Sequence, residues 1–180
     1  MSEIVIQADG KVGAIARLLA GMDPQRARQT FARAINREGG KVTTQVRRAT
    51  ATATGLPYGY VTRVARPIRA SAALPEFAIK ASDAATSLKR FGPRLTRKGV
   101  SAAPWAKRRV FSGSFVAGKL GGHVFARAGV GRMPIKKLFG PVVPNEMISG
   151  EPASAWEGAA YQLSDAVLRE IERQIFVGIA

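Results

Sequence analysis

The residues of this chain best suited to chemistry are cationic and aromatic. Lys107-Arg108-Arg109 lies between Trp105 and Phe111, with Phe115 close behind. Cations beside flat rings can grip a single nucleic-acid strand, the rings stacking on bases while the charges meet phosphates. The same spacing allows a plainer arrangement. On an alternating strand Trp105, Phe111 and Phe115 share one face, which is the signature of a core or a subunit contact. Arg47, Arg48, Arg63 and Arg66 make a second cationic group on a stretch with helical periodicity. These four, with Lys107, Arg108 and Arg109, are the candidate residues for a surface that faces DNA or a neighbouring subunit. Residues 43–66 also have the outline of a helix-turn-helix, with a helix ending near Ala53, a turn at Gly55 and a short second helix. DNA readers of that kind place polar side chains over base edges at the start of the second helix. Pro57-Tyr58-Gly59-Tyr60 offers little there, so sequence-specific reading is not expected.

Catalytic chemistry has few residues to stand on. The chain has no cysteine, which removes thiolate nucleophiles, disulfides and zinc–thiolate sites. His123 is the one histidine, so a multi-histidine metal site is excluded. As a general base it would need a second group within reach and a defined pocket; a packed or half-exposed strand histidine is the expectation. Gly118-Lys-Leu-Gly-Gly122 lacks the order of a phosphate-cradling loop. No two carboxylates are spaced for acid–base work: Glu170 and Glu172 fall on different faces of a helix, and Glu146 and Glu151 flank a loop. Nor is there an acid cluster for Mg²⁺. The sequence therefore predicts a protein that is not an enzyme and carries no cofactor or metal.

Charge is distributed unevenly. The chain carries a net +16, with 28 Lys and Arg against 12 Asp and Glu. Residues 1–40 have a net charge of +2, residues 41–140 one of +18, and residues 141–180 one of −4. The central hundred residues hold twenty cations and only Glu76 and Asp83 as acids. Such a block is a polyanion-binding surface, one half of an electrostatic subunit contact, or a solvated surface that merely solubilises, the last being the least expected with twenty cations against two acids. The acidic C-terminal segment could supply the other half, with Glu170 and Glu172 of one copy meeting the basic middle of the next.

The elements that must hold these groups follow from periodicity. At 180 residues the chain suits one domain, able to bury roughly 70% of its unfolded surface. Lys11 to Ala20 is a short amphipathic helix stopped by Gly21. Asp23-Pro24 caps a restart, and the apolar phase of Phe31, Ala34, Ile35, Val42 and Val46 runs across Gly39-Gly40, predicting one long helix. Leu56-Pro57 begins a brief second helix. Arg66 to Lys80, punctuated by Pro67 and Pro75, predicts edge-type strands. Ala81 to Lys98 is loop-like, and Val100 to Gly129 is an antiparallel meander of three or four strands with glycines at its turns. Ser154-Ala-Trp-Glu157 has the form of a capping box before a C-terminal helix. The fold class is α+β: a long N-terminal helix, a central antiparallel sheet and a C-terminal helix packing on it. Within one domain, residues 11–65 are helical, 66–130 β-rich, 131–150 a proline-rich connector and 154–177 the closing helix. The opening Met-Ser-Glu lacks the basic flank of a signal peptide. The longest uncharged run, Ala49 to Thr62, is too short and interrupted to span a bilayer. A soluble cytoplasmic product without membrane contact is expected.

The connector carries the sharpest wording in the chain, Gly131 to Met147, GRMPIKKLFGPVVPNEM. Its prolines fix their own φ and push the preceding residues toward extended geometry. Ile135, Leu138 and Phe139 have helical spacing, which predicts one short anchoring turn. This segment resembles the signature of the phage minor tail protein Z family of long-tailed phages. The resemblance extends through Phe31-Ala-Arg-Ala-Ile-Asn-Arg-Glu-Gly39, Thr44-Gln-Val-Arg-Arg48, Gly55-Leu-Pro57, Lys98-Gly-Val100, Ser114-Phe-Val-Ala117 and Gly122-His-Val-Phe-Ala-Arg127, and covers roughly residues 25–150. Where the family has Tyr-Gly-Pro-Ser, this chain has Phe139-Gly-Pro-Val142 and lacks the hydroxyls. The resemblance implies a structural virion protein that completes the tail at its head-proximal end. It also implies a ring, six-fold with copies of itself. The ring would touch tail terminator, tail tube or head-tail connector proteins, with phage DNA crossing its lumen. It would be found in the virion, and in the host cytoplasm during assembly. Pro134, Ile135, Leu138, Phe139, Pro141 and Pro144 are the candidate partner-contact segment. The alternative reading is a non-enzymatic nucleic-acid-binding protein using the basic middle.

Overall fold

The computed structural model of the chain describes residues 2–6, 23–82 and 85–177, the side chains of 2–6, 160–163 and 174–177 excepted. The amphipathic helix expected over Lys11 to Ala20 lies outside them. The architecture is α+β. Its first strand, β1, is Ser2–Ile6, and the long helix α1 is Pro24–Thr54. Asp23 caps α1, its carboxylate accepting from the backbone N–H of Gln25 at 3.0 Å and of Arg26 at 3.1 Å, with Pro24 at the first position. The helix passes Gly39-Gly40 without a break. On its buried side the hydroxyls of Thr43, Thr50 and Thr54 donate to carbonyls four residues back, so these polar groups enter the core satisfied. Gly55 ends the helix at φ +72°, a left-handed cap; a Cβ there would also lie 2.7 Å from the backbone nitrogen of Ala106.

The helix α2, Tyr58–Val64, follows directly and runs into β2, Ala65–Ile68. β3, Phe77–Ala81, pairs antiparallel with both β1 and β2, giving the order β1-β3-β2. Pro67 thus sits on an outer strand as expected, but β3 is the central strand, not an edge. Phe77, Ala78, Ile79 and Ala81 are all buried, and Lys80 alone points out. Ala81 to Lys98 is more structured than a loop. It holds a 3₁₀ turn at Leu88–Phe91 and the strand β4, Arg94–Thr96, and both Leu88 and Phe91 are buried.

β5 (Gly99–Ala102), β6 (Arg109–Ser112), β7 (Ser114–Ala117), β8 (His123–Arg127) and β9 (Ile135–Lys137) complete the strands. The expected single central sheet is divided: β4-β5-β6 and β7-β8-β9 are separate three-stranded antiparallel sheets. The chain changes sheet at Gly113. There the Ser114 hydroxyl accepts from the Val100 N–H at 2.9 Å and donates to the Phe111 carbonyl at 2.5 Å, replacing ladder bonds with side-chain bonds. The helical turn expected at Ile135, Leu138 and Phe139 is instead strand β9. An open edge of β8 takes up Ile135–Lys137, and Leu138 continues the pairing through its N–H to the Val124 carbonyl. A three-position apolar spacing cannot repay helix nucleation against a waiting ladder.

Two helices close the chain, α3 at Val143–Met147 and α4 at Gly150–Val177. α4 starts at Gly150, so Ser154 and Glu157 lie inside it and do not form its N-terminal cap. It also packs chiefly along α1, where the sequence placed it on the sheet. Buried residues from α1, β3, the 3₁₀ turn, β5, β8, α3 and α4 join in one cluster that includes Val46, Phe77, Leu88, Val100, Val124, Met147 and Ile171.

Candidate interaction surface

Four of the seven candidate cations lie on or near a belt of guanidinium groups and aromatic rings. Tyr60 on α2 takes the Arg90 guanidinium 4.4 Å above its ring centroid and that of Arg63 at 6.0 Å. Arg90 belongs to the 3₁₀ turn that ends at Gly92, and the Gly92 carbonyl accepts from Arg108 Nη1 at 3.2 Å and Nη2 at 3.3 Å. Arg108 Nη1 also reaches the Ser101 carbonyl and hydroxyl at 3.3 Å. Next to it, the Arg109 guanidinium lies 5.1 Å from the Trp105 ring centroid and 4.8 Å from that of Phe111. Contacts thus join Arg63 and Arg90 through Tyr60, and Arg108 to Gly92 at the end of the Arg90 turn; Arg109 follows Arg108 in the chain, and Lys107 before it is exposed. Rings under guanidinium planes hold those planes flat and restrict their rotamers, leaving edge N–H groups for phosphate or carboxylate oxygens.

The remaining candidates have other surroundings. Arg47 turns toward its own chain: Nε donates to the Ala65 carbonyl at 2.9 Å, and Nη2 donates to Ala65 at 2.5 Å and Thr62 at 3.4 Å. It ties α1 to the last turn of α2 and the first residue of β2. Arg48 is exposed on α1, and Arg66 is exposed with Nε on the Arg63 carbonyl at 3.1 Å. Trp105, Phe111 and Phe115 do not share a strand face. Trp105 is in a 3₁₀ turn at φ 55°, its indole N–H donating to Glu146 at 2.7 Å. Phe111 is on β6, and Phe115 on β7 packs against Phe125 at 6.3 Å between centroids. Sequence reasoning missed Tyr60 and Arg90, which lie thirty positions apart with no local pattern linking them.

The connector is largely internal. Pro141 and Pro144 are buried, Ile135 and Leu138 half-buried, and only Pro134 and Phe139 of the six candidates are exposed. Gly140 donates to the Thr86 carbonyl at 2.7 Å, and Thr86 donates to the Pro141 carbonyl at 3.2 Å. A Cβ at Gly140 would stand 2.7 Å from the Phe91 ring. The surface this segment can offer a partner thus narrows to Pro134 and Phe139, the latter under the Lys137 ammonium at 5.3 Å.

The acidic end of the chain is partly consumed at home. Glu170 is 6% exposed and sits between Arg37 Nη1 at 3.1 Å and Arg173, whose Nη2 and Nε donate at 2.8 and 3.1 Å. The bond to Glu170 raises the Arg173 pKa above its ordinary value. Glu170 is therefore taken as a link between α1 and α4, and Glu172 is the exposed acid of the pair. Among the described residues no group of three His, Asp or Glu side chains could hold a metal ion, and no helix is long and apolar enough to cross a membrane. Set against protein-family models, curated proteins and solved structures, the chain matches none.

Proposed function

We propose that this chain is a structural subunit of a long-tailed phage virion, without catalysis, that completes the tail at its head-proximal end. Copies assemble in a six-fold ring that joins the tail tube and terminator to the connector of the head. The reading rests on the resemblance over residues 25–150. The observation that carries it is the belt from Arg63 to Arg109, where guanidinium groups held on aromatic rings lie within a basic block that has almost no acids of its own. Such a surface suits an acidic ring of neighbouring subunits or DNA in a lumen. Deletion of the gene is expected to leave heads and tails unjoined, and electron micrographs of the purified chain with tail proteins should contain rings. Normal plaque formation after deletion would overturn the reading.

A second reading, a free nucleic-acid-binding protein, is favoured by the stacking of Arg90 on Tyr60, an arrangement that also accepts bases. It predicts duplex affinity falling about 10³-fold or more between about 50 and 200 mM salt for six or more phosphate contacts. Weak binding without that slope would remove it.

A further inference from the structure

The sole histidine stands in a second cationic cluster that the arginine belt does not use. His123 opens β8, and three neighbouring segments bring polar groups to its ring. Ser87, just ahead of the 3₁₀ turn, places Oγ 2.8 Å from Nδ1. Lys137 on β9 holds Nζ 3.3 Å from Nε2. Lys89 donates to the Gly121 carbonyl at 2.6 Å, and a Cβ built at Gly121 would be 3.5 Å from His123 Cδ2, so this lysine is anchored on the turn that abuts the ring. From the paired strand β7 the residue opposite is Ala117.

An ammonium has donors only, so Nε2 accepts from Lys137 and the imidazole proton belongs on Nδ1, donating to Ser87 Oγ. Burial, then Lys137, then Lys89 hold the His123 pKa below its ordinary value. The ring is neutral and half-exposed, with the Lys137 ammonium at Nε2 and Lys89 held on the turn beside Cδ2. Each lysine commits one N–H to a neutral acceptor, which leaves two N–H groups on each for a ligand. Among the described residues, the groups set against the ring are a hydroxyl, two ammonium groups and backbone, with no carboxylate.

We propose that Ser87, Lys89, His123 and Lys137 form a binding site for a tetrahedral phosphate oxyanion, either free phosphate or the phosphodiester of a nucleic acid. The oxyanion takes the outward N–H groups of both lysines. Its charge reverses the field at the imidazole, Lys137 swings from Nε2 to the ligand, and Nε2 takes a proton from solvent and donates to an oxyanion oxygen. Binding is therefore coupled to uptake of one proton and tightens as pH falls through the range of His123. Arginine contacts have no such dependence, because guanidinium stays charged throughout.

The test is proton NMR of the full chain, in which one histidine gives one titrating imidazole signal. Its titration is followed in chloride, in inorganic phosphate and with a short oligothymidylate, at equal ionic strength. The proposal expects the His123 midpoint to rise with phosphate or oligothymidylate relative to chloride. Lys137→Gln should raise the midpoint in chloride by removing repulsion, and weaken anion binding about tenfold, one charge-assisted contact. A rise with both anions means that a free oxyanion suffices. A rise with oligothymidylate alone assigns the site to phosphodiesters, and one with phosphate alone assigns it to free phosphate. A midpoint no higher with phosphate or oligothymidylate than in chloride, or a rise in Lys137→Gln and Lys89→Gln as large as in the unsubstituted chain, would overturn the proposal.

Discussion

Gly39 and Gly40 are adjacent in α1, and helix propensity charges each about 1 kcal/mol against Ala. Their surroundings separate them. A Cβ on Gly40 meets nothing within 4 Å. A Cβ on Gly39 would lie 2.7 to 2.8 Å from three atoms of the Phe77 ring. That ring is 2% exposed and sits on the central strand of its sheet, so it has little room to withdraw. Gly40→Ala is expected to stabilise the protein by about 1 kcal/mol, a rise in Tm of about 2–4 °C at this size. Gly39→Ala gains the same propensity but overpacks the core, at a cost of about 1–3 kcal/mol. Overlap with three ring atoms puts that cost at the upper end, for a net loss of about 1–2 kcal/mol. Thermal melts followed by circular dichroism, with urea midpoints at unchanged slope as a second measure, would resolve the two signs. If Gly39→Ala raises the midpoint as much as Gly40→Ala, Phe77 is not wedged against α1 and the packing of β3 on that helix is wrong.

Arg47→Ala should cost about 2 kcal/mol through its lost charge-assisted bonds to Ala65 and Thr62, whereas Arg48→Ala should leave urea midpoints nearly unchanged. Glu172→Lys is expected to be silent in the same assay, and Glu170→Lys to lower the midpoint clearly, because it buries a cation between Arg37 and Arg173. The folded-state pKa of His123 lies below its ordinary 6.5, so the unfolded chain binds that proton more readily. Its contribution to stability should be intact above pH 6.5 and decline as pH falls from there toward the folded value, and His123→Gln should flatten that part of a pH series of urea midpoints.

Features written in adjacent residues were legible in the sequence. Asp23-Pro24 and Gly55 bound α1 because a cap and a left-handed stop are local devices. Pro67 falls on an outer strand because its nitrogen cannot serve a central ladder. What the sequence misplaced depended on distant partners. Ile135 to Phe139 kept helical spacing but met the open edge of β8. Ser154 and Glu157 matched a capping box, yet α4 had already begun at Gly150. Arg47 and Glu170 looked like surface charges until α2 and Arg37 were brought beside them. The pairing of Ser87 with His123 spans 36 positions, and no motif in either segment announces it.

The pairing of α1 with α4 also sets an order of events during synthesis. Residues 55–149 lie between the two helices, and at about 5–20 residues per second they take roughly 5 to 20 seconds to make. For that interval the face of α1 destined for α4 has no mate. A ribosome that stalls before Gly150 would leave this long sticky rod uncovered, a natural target for chaperones and proteases. The helix α4 therefore acts as a seal: the face of α1 that it covers is hidden only once Gly150–Val177 has been made.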